Sequence, residues 1–315
     1  MRKTPFFLLS LILTAAFSAV MIVCGIKQLK NGSAAQSDEK IYIELWHIDT
    51  FEGGTGSRAA FLSAVAKQYE KNNRVCVTVK TQTALSAAEF FAKGIYPDLL
   101  SYGNGVALPY EMLVKIYGSK PYEYAVPWCM GGYVRIVRKG VNATKTILSV
   151  QDKALSLVAV GYEEMSLPNM AEVPSNLAIY EFYKNKEAAL IGTQRDLYRL
   201  ENKGIDIEVA PLTVFNDLYQ YVSVLSVSDE KVKAANAFVG YLLSDGVQSK
   251  LSRIGMRSFF FSVGDGAVSV LDGVNYSLVT PPLIKKDELE RLKKLSIDFS
   301  KNRETIGSSL YGKEK

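Results

Sequence analysis

The stretch IYIELWHIDTFEGGTGSRAAFLSAVAKQYEKNNRVCVTVKTQTALSAAEFFAKGIYPDLLSY, residues 41–102, decides the fold. It opens with an apolar-rich run, Ile41–Ile48, read as a strand. From Arg58 to Asn72 the apolar residues Ala59, Phe61, Leu62, Val65, Ala66 and Tyr69 recur at helical spacing. Val75–Thr81 alternates as a strand does. Ser86–Ala92 predicts a helix closed by Gly94, and Pro97–Tyr102 a short buried strand. Strand, helix, strand, helix, strand means a parallel sheet with right-handed crossovers. Ser57 is placed to cap the helix from Arg58.

Outward from this block, the chain continues to alternate. Val126–Tyr133 leads into a strand at Val134–Arg138, and Leu155–Gly161 reads as another. Asn176–Lys184 looks helical, followed by a short apolar run, Ala188–Ile191, and a loop, Gly192–Asp196. Ile205–Pro211 and Tyr219–Ser226 read as strands. Lys231–Leu243 is a strongly amphipathic helix, with a second helix over Gly246–Ile254 and a charged surface helix over Lys286–Asn302. No internal repeat or low-complexity segment interrupts the pattern.

Towards the N-terminus the character changes. Arg2 and Lys3 precede Phe6–Ile26, an apolar run without a charge, and Asn31–Lys40 is small and polar. A basic start before an apolar run describes a signal peptide. A run of about 20 residues is also long enough to span a bilayer. Either way the positive-inside rule leaves the body outside. Ala16-Phe17-Ser18 and Ser33-Ala34-Ala35 fit a small-x-small cleavage pattern. Cys24 is a candidate for lipid attachment, although Val23 stands where bacterial lipoproteins usually carry a small residue. The division expected is a signal or anchor over 1–30 and a linker over 31–40, followed by the body.

The formal net charge of +5 comes largely from the leader, whose basic residues are Arg2, Lys3, Lys27 and Lys30. The body is close to neutral, with no basic stripe for nucleic acid. A single histidine and no C-x-x-C pair argue against a zinc site of His and Cys. Cys76 sits in a strand pattern as a buried thiol, and a disulfide to Cys129 is open on sequence alone. Gly54-Thr-Gly56-Ser-Arg-Ala59 formally matches the dinucleotide fingerprint. It does not follow its strand directly, as pyrophosphate binding requires.

The body resembles the extracellular solute-binding proteins of ATP-binding-cassette importers, in their sugar-binding, maltose-binding-protein-like group. The likeness rests on motifs in order. They are Glu44-Leu-Trp-His47, the helix Phe61–Asn73 with its Tyr-Glu-Lys-Asn phrase, Gly94-Ile-Tyr-Pro-Asp98, Val126-Pro127-Trp128, Phe182–Leu190, and Lys233–Leu251 followed by Gly255. The body is shorter than is common in the family, Lys186 replaces a frequent glycine, and Gly192-Thr-Gln-Arg195 lacks a frequent aromatic residue.

The resemblance implies an α/β, periplasmic-binding-protein-like fold of two lobes joined by hinge crossings. The expected lobes are 40–125 plus 222–258 and 129–218 plus 262–315, crossing near Val126–Pro127, Tyr219–Tyr221 and Phe259–Phe261. It implies capture of a small solute, with a mono- or oligosaccharide as the first candidate, and its delivery to a membrane permease without chemistry or cofactor. Candidate ligand contacts at strand ends and loops are Trp46, Asp49, Glu52, Arg58, Asn104, Trp128, Tyr133, Gln194, Arg195, Asn216, Asp217 and Tyr219. Aromatic rings and planar polar groups are what sugars require. Arg58 and Arg195 equally suit a carboxylate or phosphate. Two alternatives stand beside this. One is an anchored ligand-binding module for a sensor. The other is a secreted glycoside hydrolase using carboxylates among Asp49, Glu52 and Asp217. A serine hydrolase would have to use His47, and there is no G-x-S-x-G elbow.

Overall fold

A computed structural model of the chain describes residues 40–48, 57–103, 106–118, 123–150, 170–211 and 218–260, together with 285–287, 290, 291 and 294. The chain divides into two units at Lys40. The leader with Cys24, the expected strand Leu155–Gly161 and most of the expected C-terminal helix lie outside the described residues. Among the described residues, no helix is long and apolar enough to cross a membrane.

The body carries two sheets. In the first, β1 (Ile41–Ile48) lies between β2 (Val75–Gln82) and β3 (Leu99–Gly103), parallel to both. That is the arrangement the opening block predicts. Helix α1 (Arg58–Glu70) crosses from β1 to β2, and α2 (Ala84–Ala92) crosses from β2 to β3. Ser57 accepts from the Ala60 N–H at 3.2 Å, as its position before the helix suggests. Helix α2 starts two residues before the expected Ser86. Thr83 and Ser86 form a reciprocal capping box there, a signal available in the sequence. Gly94 closes α2 at φ +71°, a conformation that favours glycine.

The sheet is completed by chain that returns late. β11 (Tyr219–Leu225) pairs antiparallel with β3 and also with β4 (Leu113–Val114) and β5 (Val126–Met130). Helix α5 (Asp229–Leu242) packs on the same face as α1. Between them and the sheet lies a core of Ile43, Leu45, Leu62, Val77, Leu99, Trp128, Val222, Phe238 and Leu242. The opposite face buries Trp46, Ile48, Leu100, Tyr102 and Tyr221 against α2.

The second sheet runs β10 (Ile207–Pro211), β6 (Tyr133–Arg138), β9 (Ala188–Thr193), β7 (Lys145–Val150), β8 (Met170–Pro174). β6 is antiparallel to both neighbours, while β7 is parallel to β8 and β9. Its core of Val134, Ile136, Ile147, Phe182, Leu190, Leu197 and Leu200 lies under α3 (Ser175–Lys184) and α4 (Gln194–Glu201).

Two sequence expectations are corrected here. The segment Gly192–Asp196, read as a loop, is the end of β9 and the start of α4. Thr193 caps that helix and Asp196 closes the capping box. The helix expected over Gly246–Ile254 is a four-residue α6 (Asp245–Gln248) followed by a 3-10 turn, Leu251–Ile254, ended by Gly255 at φ +70°.

The motif Gly94-x-x-Pro-Asp98 has a structural role. Buried Asp98 accepts from the Glu44 backbone N–H at 2.8 Å and from Lys231 Nζ at 3.1 Å, tying β1 to α5. Gln248 donates to the Trp128 and Leu242 carbonyls and accepts from Ser258 Oγ. Cys76 and Cys129 are not disulfide-bonded.

Candidate functional site

Strand direction brings the carboxyl edges of the two sheets together. β1, β3 and β5 run the same way, and β5 ends at Met130. Only Gly131 and Gly132 separate it from β6, whose first residue, Tyr133, pairs with Thr193 at the end of β9. The carboxyl ends of the parallel strands in both sheets therefore border one junction, where open α/β sheets bind their ligands.

Three chain segments meet here, and two of them pass between the sheets. The first is Met130–Tyr133, and the second ends at Leu218, which accepts from the Gly131 N–H at 2.7 Å. The third contains Met256 and Arg257, with Arg257 bridging Met130 through two backbone hydrogen bonds of 2.9 and 3.0 Å. β5 and β11 both lie in the first sheet. The changes of sheet accordingly fall at Gly131–Gly132 and between Pro211 and Tyr219.

The described candidates gather along the two edges. On the first, Trp46 packs under α2 against Phe90 and Phe91, with ring centroids at 5.2 and 6.0 Å, and donates to Glu44. Arg58 begins α1 and donates to Gln220. Trp128 has no exposed surface. It stacks on Phe61 and donates its indole N–H to Ser101 Oγ at 3.0 Å. Tyr219 opens β11 and joins a run of rings with Tyr221 and Phe259, at 6.0 and 5.8 Å. On the second edge Tyr133 opens β6, and Gln194 and Arg195 form the first turn of α4. All seven are buried. Asp49, Glu52, Asn104, Asn216 and Asp217 lie outside the described residues.

Beneath the first turn of α1 is a polar cluster that the list of candidates missed. His47 shares a strand face with Ile43 and Leu45 and sets Nδ1 3.0 Å from Ser101 Oγ. The indole N–H occupies one lone pair of that oxygen. Nε2 has no partner among the described residues. Burial, and then the charge of Arg58, lowers the His47 pKa from 6.5 to about 3, so the ring is neutral at physiological pH. The polar residues His47, Ser101 and Gln220, set in strands that are otherwise apolar, were the sequence signal for this cluster.

A second buried acid lies across the junction. Asp196 Oδ2 accepts from the Thr193 N–H at 3.0 Å, and Oδ1 has no partner among the described residues. Burial raises its pKa from 3.8 to about 6, against the pull of the Thr193 hydrogen bonds, Arg199 and Arg195. Gly192 must be a glycine beside it, because a Cβ there would meet Asp196 Oδ2 at 2.7 Å.

Chemically, the His47–Ser101 pair is poorly set for nucleophilic catalysis. The His47–Ser101 contact has the residue types of a nucleophile and base. However, Ser101 is buried with its oxygen engaged by Trp128, and no described carboxylate orients the imidazole from Nε2. A base with a pKa near 3 is also a poor acceptor for a serine proton at neutral pH. No group of His, Cys, Asp and Glu among the described residues is arranged for a metal ion.

No protein-family model and no curated protein matches the chain by sequence. Its structure does have counterparts. The sugar-binding protein MalE from Xanthomonas citri superposes with TM-score 0.60 over 85% of this chain and 95% of its own, at 12% identity. A protein studied for xylan utilization in the thermophilic bacterium Caldanaerobius polysaccharolyticus gives 0.59 over 87% and 100%, also at 12%. The GacH receptor of Streptomyces glaucescens, solved unliganded and with acarbose, gives 0.58 over 86% and 96%, at 13%. The body thus has the periplasmic-binding-protein fold, the fold of these sugar-binding proteins and the one its motifs imply.

Proposed function

We propose that this chain is an extracytoplasmic solute-binding protein. It captures a small solute between two lobes, one around each sheet, and delivers it to an ATP-binding-cassette permease. The observation that carries this reading is the junction itself: two carboxyl sheet edges bordering two crossing segments, with a third segment tied to them at one point. Such a joint permits closure of one lobe on the other, which buries whatever lies between them. A mono- or oligosaccharide is the proposed ligand, supported by the fold shared with MalE and GacH and by the aromatic rings along the edges. Trp46, Arg58, Tyr133, Arg195 and Tyr219 are the proposed ligand contacts from the described edges, with Trp128 and Gln194 behind them. Asp49, Glu52, Asn104, Asn216 and Asp217 are proposed from the adjoining loops. The chain is proposed to work without catalysis, held at the outer face of the membrane by its leader or by a lipid on Cys24.

The test is thermal unfolding of the full chain against a panel of sugars, amino acids, polyamines and organic anions. A ligand at 100 times its dissociation constant stabilises the native state by about 2.7 kcal/mol. For a body of this size that is a rise of several degrees, about 2–4 °C per kcal/mol. A shift confined to one sugar class supports capture and names the solute. A cooperative unfolding transition that no solute moves counts against it. Release of a reducing sugar from an oligosaccharide would replace capture with hydrolysis.

A further inference from the structure

Gln194 belongs to the second sheet's α4, yet its hydrogen bonds go to the crossing segments. Its backbone N–H donates to the Gly132 carbonyl at 2.9 Å, and its Oε1 accepts from the Gly132 N–H at 2.9 Å. Its Nε2 donates to Met256 Sδ, on the third segment, at 3.1 Å. The residue has no exposed surface. One turn further along α4, Tyr198 packs beside Gly255 and donates to the Arg253 carbonyl at 3.3 Å. Both contacts with the third segment come from one face of the helix, as the i, i+4 spacing dictates.

The first crossing is shaped around this side chain. A Cβ on Gly131 would lie 2.3 Å from Gln194 Oε1 and 2.6 Å from its Cδ and Nε2. Gly131 leaves room for the amide, and Gly132 supplies the two backbone groups that hold it. Because the first crossing is also joined to Leu218 and Arg257, one amide reaches the point where all three segments meet.

We infer that Gln194 is a positioning residue for the hinge: it fixes the ligand-facing end of α4 to the first crossing and to the third segment, and so sets how the lobes are disposed in the unliganded protein. This rests on the capture reading proposed above, since it assigns the junction the work of opening and closing. The bond to sulfur is the weak member of the set, because a thioether is a poor acceptor. It is the contact that gives first when the third segment moves against α4.

The experiment measures the distance between spin labels at Tyr117→Cys, on the exposed turn after β4, and Tyr180→Cys, exposed on α3. It uses the full chain carrying Cys24→Ser and Cys76→Ser, without ligand. Gln194→Met keeps the side-chain volume and removes the amide. It is expected to broaden the distance distribution relative to Gln194. Gly131→Ala, on a different segment, is expected to do the same, because its methyl expels the amide from its seat. In the double variant Gly131→Ala with Gln194→Ala the methyl has room, so its distribution should match that of Gln194→Ala alone. This comparison also holds if Gly131→Ala by itself folds poorly, since the second change then restores folding.

A distribution for Gln194→Met identical to the parent would overturn the inference. So would a Gly131→Ala effect that simply adds to that of Gln194→Ala, because independent sites add and coupled ones do not. The capture reading fails separately. A parent chain that binds no solute would remove it while leaving these distances unaffected. Unchanged distances in a chain that binds sugar would remove the pin alone.

Discussion

Asparagine in place of Asp196 removes a charge from a site that disfavours it. The carboxyl is fully buried, only Oδ2 has a partner among the described residues, and burial raises its pKa from 3.8 to about 6. Between those two values the folded protein holds a proton that the unfolded chain has released. Stability therefore falls as pH rises through that window and stays lower above it. The interval corresponds to about 3 kcal/mol. Asparagine keeps an oxygen for the Thr193 N–H but brings a buried amide donor where Oδ1 now lies, at a cost of about 1–3 kcal/mol. The variant is therefore expected to be about 1 kcal/mol more stable than the parent at pH 7.5. At pH 4.5 the parent's folded carboxyl is protonated and only about 1 kcal/mol of that penalty remains, less than the cost of the buried amide, so the variant is expected to be the less stable of the two. Urea unfolding of both full chains at the two pH values tests this. Parallel profiles, with the same stability difference at each pH, would refute the reasoning whatever the size of that difference.

His47 gives the opposite slope. Its folded pKa, about 3, is below the unfolded 6.5, so its contribution is complete above pH 6.5 and is lost as pH falls towards 3. His47→Gln is expected to remove an acid-side loss of about 5 kcal/mol over that range. A variant with the parent's acid limb in urea titrations from pH 7 to 3.5 would show that the imidazole is accessible to protons in the fold. Trp128→Ala empties a fully buried site stacked on Phe61 and is expected to cost about 3–5 kcal/mol. A loss below 1 kcal/mol in denaturant titration would mean the ring is not core. Lys231→Met strands the buried Asp98 carboxylate and is expected to cost about 3 kcal/mol. Asp98→Asn keeps an acceptor for the Glu44 N–H and frees Lys231, already partly exposed, to turn to water. It should cost less, and the reverse order in calorimetry would contradict the pairing.

Local periodicity made the first sheet's parallel strands legible, because each of Ile41–Ile48, Arg58–Glu70 and Val75–Gln82 signals its type within its own residues. α4 was missed for a different reason. Thr193 with Asp196 is a capping box, but it follows the strand directly, and a strand's last residues resemble a loop when they carry Gly, Thr and Gln. The strands Lys145–Val150 and Met170–Pro174 also went unread. They are paired only through partners far along the chain, which no local window contains. Among the candidate site residues, Trp46, Arg58 and Arg195 were chosen for their chemistry at strand and helix ends, which is visible in one dimension. His47, Ser101 and Gln220 were not, since their meaning comes from meeting across β1, β3, β5 and β11.

By itself the sequence determined the strand–helix alternation, the capped start of α1, the turn glycine Gly94 and the ordered motifs. Each depends on backbone sterics or on residues within a few positions of one another. Tertiary structure alone decided that β11 returns to the first sheet and that Asp98 reaches Lys231. It also decided that an amide on α4 seats against Gly131 and that burial lowers the pKa of His47 and raises that of Asp196. These depend on contacts and desolvation created only when distant segments pack. A residue's pKa and its partners are properties of the space around it, and the chain acquires that space on folding.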